Sequence, residues 1–378
     1  VADYWANDLP VRRGFYNFDR IVVDYYRDTG VALEAFKAGQ FDLNQEVSAK
    51  NWATGYDSPA LREGDIIKEE IPNLNVQGMQ GFVFNLRRPI FEDRRVRKAI
   101  SLLFDFEWSN KSLFHNAYAR TDSFFDNSEL GATGAPGPGE LALLEPWREQ
   151  LPADVFEEVQ GPPETDGSGI IREQMREAYR LLQDAGWEIV DDRLVNEQGE
   201  HLQFEFLIAQ SDFERLPYKR NLASLGIELT LRRVDVSQYI NRLRSRDFDM
   251  VVTGFGQSNS PGNEQREYWH SSSADNPGSR NLMGLQDPAV DALVEGLIEA
   301  ESREALLNHT RALDRVLLAG HYVVPNFHTT VYRVAYWDKF AHPQQSPRYD
   351  LGLFTWWVDA EKAARLKGKP VPVTVQED

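Results

Sequence analysis

Two glutamates, Glu264 and Glu267, lie near the end of the run GFGQSNSPGNEQREYW at residues 254–269. A carboxylate pair is what a glycoside hydrolase uses, one group as acid and the other as base or nucleophile. The chain's nine Trp would then stack sugar rings. Against this, 59 Asp and Glu make two neighbouring glutamates weak testimony, and core or hinge packing accounts for most of the tryptophans. Trp356 and Trp357 point to opposite sides of any extended segment, so at most one of them faces a ligand. His321 and His328 invite a metal reading, but their odd separation on strand-like segments puts them on opposite faces, which suits packing or capping. GFG at 254–256 follows an apolar run as a dinucleotide turn does. The third glycine of G-x-G-x-x-G would fall at Asn259, however, and Pro261 and Gly262 stand where the helix should begin.

Other reactive sets are missing from the sequence. It contains no P-loop lysine motif, no G-x-S-x-G elbow and no H-E-x-x-H. With no Cys, it has no disulfide, no thiolate nucleophile and no thiolate-bound metal. The sequence therefore predicts no catalytic set, no metal and no cofactor, and residues 254–269 read as a binding element. Connections in compact domains run to about 4–6 residues, and longer ones tend to be functional. Gly256, Ser258, Asn259, Ser260 and Asn263 can bring backbone and short polar groups close to an extended ligand, reading a peptide main chain without its side chains. Gln257, Glu264, Arg266 and Trp269 complete the predicted ligand-binding set. An ordered surface loop without a ligand is the competing reading, in which Tyr268 and Trp269 only anchor it.

The elements that must hold this run are legible in outline. IELTLRRV, the helix SQYINRLRSRD capped by Ser237, and FDMVVTGF form a β-α-β unit whose strands should be parallel. The run leaves the carboxyl end of the second strand, where ligands bind in open α/β sheets. Upstream, RLVNEQGEHLQFEFLI reads as a hairpin around NEQGE, with Leu202, Phe204, Phe206 and Ile208 on a buried face. EQMREAYRLLQDAGW is a helix stopped by Gly186. DRRVRKAISLLFD is an amphipathic helix behind Asp93, burying Val96, Ala99, Ile100 and Leu103. Arg94, Arg95 and Arg97 fall on its polar face, with Glu92 and Asp105 as expected partners. A helix after Asp28 or Thr29 ends at Gly39, before a strand at about 41–43, and residues 128–139 read as a surface loop. Helices beginning at Pro288 and ending at Gly320 precede strand-like HYVVPNFH and VYRVAYW and a polar tail.

Composition limits the partners. A net charge of -18 over 378 residues, with pI near 4.9, repels nucleic acid and anionic lipid. No apolar run approaches the roughly 20 residues of a membrane span. VADYWANDLPVRRG lacks a signal peptide's charged start and apolar core, so any leader is expected outside this sequence.

FNLRRPIFEDRRVRKAISLLFD resembles the "N-x-R-R-x-P-F-x-D-x-R-V-R-x-A-I" signature of extracellular solute-binding family 5, the peptide-binding components of ABC importers. AFKAGQFDL, YRLLQDAGW and LASLGIELTLRRVDVSQYINRLRSRDFDM are similar to three further motifs of that family, in the same order. DYWANDLPVRRGFYNFDRI and GQSNSPGNEQREYWHS resemble the branch associated with oligopeptide and microcin C uptake. The resemblance implies an α/β fold with two lobes, a periplasmic binding protein of type II (cluster C), with lobe I incomplete because the family's first part is missing. Residues 1–83 and 335–378 would be the remnant of lobe I, its sheet left with an unpaired edge, and 84–334 would be lobe II. It also implies a periplasmic or lipid-anchored extracellular receptor that captures oligopeptides or modified peptides in an interlobe cleft. Permease subunits of an ABC transporter would be its partners, and no chemistry would be done on the ligand. An oligosaccharide receptor on the same fold, or a hydrolase using Glu264 and Glu267, are the alternatives. In peptide binders of this family the loop after "D-F-D" carries an Asp for the ligand's ammonium. Ser258 occupies the nearest position here, which leaves Glu264 or Glu267 to supply the charge, or a ligand whose amino end is blocked or modified.

Overall fold

The computed structural model describes residues 4–209, 217–345 and 347–369; the end of the expected polar tail, 370–378, lies outside them. The chain divides into two compact units, one of Val1–Asn75, Leu113–Ala117 and Thr329–Asp378, the other of Val76–Ser112 and Tyr118–His328. In chain order the strands that form the two main sheets are β1 (Leu43–Gln45), β2 (Ile66–Pro72), β3 (Gln80–Phe84), β4 (Gln203–Ile208), β5 (Glu228–Arg233), β6 (Met250–Gly254), β7 (Val323–Pro325) and β8 (Val331–Trp337). The principal helices are α1 (Thr29–Lys37), α2 (Arg94–Leu102), α3 (Arg172–Asp184), α4 (Val236–Arg244), α5 (Glu264–Trp269), α6 (Pro288–Ile298) and α7 (Arg303–Ala319).

The first unit is built on the antiparallel sheet β1-β8-β2. Strand β8 alternates: Ala335 and Trp337 join Leu33 and Phe36 of α1 in one core, while Val334 and Tyr336 join Ile71 and Trp356 in another. This is the period of two that a strand buried on both faces requires. Helix α1 is capped by Asp28, whose carboxylate accepts from Val31 N at 2.9 Å, and β1 begins two residues later than the expected strand. Trp356 is buried, whereas Trp357 is half exposed.

The second unit carries the sheet β5-β4-β6-β3-β7. Strands β5 and β6 both run parallel to β4, and β3 runs antiparallel to β6 and β7. The predicted β-α-β unit therefore exists with β4 between its two strands. Its helix α4 starts earlier than expected, capped by Asp235 rather than Ser237, because Asp235 accepts from Gln238 N at 2.9 Å. One sheet face is aromatic: Phe82 meets Phe206 at 4.9 Å and Phe104 at 5.4 Å, and Phe91 meets Phe204 at 5.3 Å. The other face gives Val83, Leu207 and Val251 to a core shared with α6 and α7.

Two expectations need correction. The turn in RLVNEQGEHLQFEFLI forms, with Leu202 N donating to Leu194 O at 2.8 Å, but its arms do not stay paired. Residues 193–196 pair with 187–190, and β4 turns into the central sheet, where Phe204, Phe206, Leu207 and Ile208 are all buried. Burial on both faces outweighs a two-stranded ribbon with one wet face. The arginines of α2 differ as well. Arg94 pairs with Asp154, Arg95 with its own cap Asp93, and Arg97 is buried among main-chain carbonyls; Glu92 gives only its carbonyl, and Asp105 takes no part.

Candidate functional site

Residues 254–269 leave the carboxyl end of β6, as expected, but only 255–263 form a loop, because residues 264–269 fold as α5. Two joints hold the loop at its start. Phe255 N donates to Met79 O at 2.8 Å, and Phe255 is buried. The chain at Gly78 passes so close that a Cβ there would sit 1.8 Å from Phe255 O, which only glycine permits.

The far end is held by α5. Its Gln265 is fully buried and accepts from Trp269 Nε1 at 2.8 Å, while its amide donates to Gln257 Oε1 at 2.7 Å. Trp269 packs against Phe255 at 4.5 Å and edge-on against Phe124 at 5.1 Å, with no exposed surface. Tyr268 Oη donates to Gly256 O at 3.1 Å and accepts from Arg280 Nη1 at 3.2 Å. Arg280 also caps Gly254 O at 2.8 Å, and Arg303, paired with Glu129, donates to Asn259 O at 2.7 Å. The loop main chain is thus fixed at Gly254, Gly256 and Asn259 by side chains from three other segments.

The predicted ligand residues separate accordingly. Trp269 is core and has no face to offer a ligand. Gln257 is engaged with Gln265, Arg266 pairs with Glu295, and one Glu264 oxygen accepts from Gly262 N at 2.8 Å. Gly256, Ser258, Ser260 and Asn263 are exposed, and Asn259 is half buried. Gly256 is open: an added Cβ would meet nothing within 4 Å, and its φ is not in the left-handed region, so the fold itself does not demand glycine there. Gln265, Arg280 and Arg303 were not legible as part of this site. The spacing of Gln265 and Trp269, four apart, was the available signal for Gln265. The arginines lie in other segments and gave none.

Neither alternative chemistry gains a residue. The only Trp of the run is buried, and Glu264 is occupied within the loop while Glu267 is exposed. His321 is half-buried and pushed down to about pKa 3 by desolvation and by nearby Arg94, Lys98 and Arg97. His328 instead meets Thr121 Oγ1 at 3.1 Å. Among the described residues no group of three or more His, Cys, Asp or Glu could hold a metal ion, and no helix is long and apolar enough to cross a membrane.

Residues 1–277 match the model of the bacterial extracellular solute-binding proteins, family 5. The chain belongs to that family. Among family 5 relatives, the uncharacterized protein YejA of Escherichia coli (strain K12) is 44% identical over 370 residues, covering 97% of this chain and 61% of its own. A protein of Agrobacterium fabrum named "Probable peptide-binding protein YejA" is 43% identical over 361 residues, covering 94% of this chain and 59% of its own. The chain thus spans about three-fifths of the length of these relatives. The fold is that of the two-lobed binding proteins: the oligopeptide-binding protein AppA from Bacillus subtilis, solved in complex with a nonapeptide, aligns with a TM-score of 0.64 at 17% identity, over 88% of this chain and 59% of AppA.

Proposed function

We propose that this family 5 chain is the substrate-binding part of an ABC importer, taking up oligopeptides or modified peptides and passing them to permease subunits without altering them. Under this reading it works in the periplasm or anchored outside the cell. The observation that carries it is the segment 256–260, exposed at Gly256, Ser258 and Ser260, with its carbonyls at Gly256 and Asn259 fixed by Tyr268 and Arg303 and the preceding Gly254 held by Arg280. Prearranged backbone groups of this kind bind another main chain without large ordering losses. The names of the Agrobacterium relative and of AppA, the latter solved with a nonapeptide, support a peptide as the ligand. Gly256, Ser258, Asn259, Ser260 and Asn263 form the contact surface, and Gln257, Glu264, Arg266 and Trp269 support it. The unit holding this loop corresponds to lobe II, and the other unit contributes to lobe I.

Calorimetry of the full-length protein with peptides of increasing length tests the reading. Gly256→Val, and the pair Ser258→Leu with Asn259→Leu, should weaken peptide binding at least tenfold at unchanged melting temperature. Unaltered affinity in both variants overturns the assignment of the loop.

A further inference from the structure

The chain passes between its two units at four places, Asn75–Val76, Ser112–Leu113, Ala117–Tyr118 and His328–Thr329. The first and last of these lie in neighbouring stretches, 73–80 leading β2 into β3 and 326–330 leading β7 into β8. Asn73 N donates to Thr330 O at 2.9 Å and Asn326 N to Gln80 O at 2.8 Å, so the stretches are joined at both ends. Between those joints a third segment, wholly within the second unit, pairs with each of them. Residues 119–120 pair with 327–328, and residues 125–126 pair with 77–78. Segment 119–126 is thus a clip on both connecting stretches. Ladders this short hold weakly by themselves, which leaves its closure to side chains.

Those side chains titrate. Asp122 N donates to Asp126 Oδ2 at 3.0 Å, which closes the turn, and the two carboxyls share a hydrogen bond when one of them carries a proton. Asp126 stands opposite Gln77 in one ladder and reaches His328 of the other, whose Nδ1 lies 3.6 Å from Asp126 Oδ2 and 3.1 Å from Thr121 Oγ1. Among the described residues no Lys or Arg pairs with either carboxylate. Asp314 of α7 faces the same turn, accepting from Ser123 Oγ at 2.7 Å and Phe124 N at 2.8 Å, and the charge of Arg120 is met by Asp105 and Glu107.

Two carboxylates in hydrogen-bond contact without a fixed cation repel when both ionise. Desolvation first, then Asp126, push the Asp122 carboxyl up to about 6, while desolvation holds His328 below its usual value against the pull of Asp126. Since the folded value of Asp122 lies above the unfolded one, its proton stabilises the turn fully below about pH 4, and that stabilisation is lost as pH rises through about 6. Asp122 is exposed, so the proton exchanges directly with the medium.

We infer that segment 119–126 is a proton-sensitive clip on the two connecting stretches, closed when Asp122 and Asp126 share a proton and loosened when both are ionised. Movement of one unit against the other has to bend those stretches, and a closed clip slows it. Under the peptide reading above, on which this consequence alone rests, peptide capture and release are slower in acid.

Amide hydrogen exchange followed by mass spectrometry at pH 5.0 and 7.5, with rates corrected for their intrinsic pH dependence, tests the clip without a ligand. In wild type, residues 77–78, 119–126 and 327–328 should exchange at least fivefold more slowly at pH 5.0, with β4 and β6 unchanged. Asp122→Asn, whose amide can donate to Asp126 at any pH, should remove the step and leave these segments slow at both values; Asp314→Asn should keep it. No step in wild type overturns the clip whether or not a variant folds. A step that survives Asp122→Asn, or one that Asp314→Asn abolishes, overturns it as well. Release of a nonapeptide from the full-length protein should be at least threefold slower at pH 5.0 than at 7.5, and independent of pH in Asp122→Asn; equal rates in wild type overturn the clip as a control on ligand exchange. If the exchange step is present and no peptide binds, the clip stands and the peptide reading falls.

Discussion

Replacing Arg97 by Met is the sharpest test of how the second unit is tied together. Arg97 leaves α2 and bonds to Gly320 O through Nε at 3.0 Å and Nη2 at 2.7 Å, and to Phe91 O and Glu92 O through Nη1 at 2.6 and 2.8 Å. It also lies over Tyr322, with its guanidinium carbon 5.2 Å from the ring centroid. One buried side chain thereby joins the entry of α2 to the end of α7. Met keeps most of the stem and removes every donor. Three carbonyls lose a charge-assisted bond, at about 1–3 kcal/mol each if they find no other partner. Working against this, burial lowers the guanidinium pKa well below its usual value, to about 10. At 1.36 kcal/mol per pH unit, relief from burying that charge returns about 3 kcal/mol. The net loss should be about 3 kcal/mol, which for a unit of this size lowers the melting temperature by about 6–12 °C. Urea unfolding followed by tryptophan fluorescence should show a lower midpoint at unchanged slope. Arg97→Lys should recover part of the loss, since one ammonium can reach Gly320 O or Phe91 O but not both. Arg95, exposed and paired with Asp93, should cost less than about 1 kcal/mol when replaced by Met. An Arg97→Met protein within 0.5 kcal/mol of wild type would refute the reasoning, because the carbonyls would then have other partners.

Two further outcomes follow from the geometry. Tyr268→Phe deletes the hydroxyl between Gly256 O and Arg280, so it should cost about 0.5–1.5 kcal/mol and weaken peptide binding several-fold; equal affinity would mean that the loop's order does not matter to the ligand. Asp314, fully buried, has its pKa raised from 3.8 to about 6, by burial first and by Asp122 in addition, against opposing bonds from Ala132 N, Ser123 Oγ and Phe124 N. Because the folded value lies above the unfolded one, the stabilisation from holding this proton is complete below about pH 4 and is lost as pH rises through about 6, an effect of about 3 kcal/mol. Between pH 4 and 7 wild type should therefore lose about that much stability relative to Asp314→Asn. A difference that stays constant with pH would count against a protonated Asp314.

What the sequence disclosed was local. Helices α2 and α6 were readable because their apolar spacing and their caps, Asp93 and the Asp287–Pro288 start, agree within one stretch of chain. The placement of the loop after β6 was readable because strand, helix and strand follow one another. The errors arose where a choice depends on a distant partner. The arms of the 193–208 turn separate because β5 and β6 offer β4 a buried position that no neighbouring residue announces. Arg97 looked like a surface residue because Gly320, its main acceptor, is remote in sequence.

The same distinction separates the proposed contact surface from what holds it. The contact surface at 256–260 is one continuous segment, so glycine, serine and asparagine in sequence already suggested a backbone held open to a ligand. The side chains that fix that segment, Arg303 at Asn259 O and Arg280 at Gly254 O just before it, come from other parts of the chain and meet it only in the folded unit. No spacing rule connects them. A position that reads main chain tolerates many ligand side chains, whereas the order that lets it bind depends on those distant anchors. The breadth of a ligand set would thus be set by the segment that is legible in sequence, and its affinity by residues that only the fold brings together.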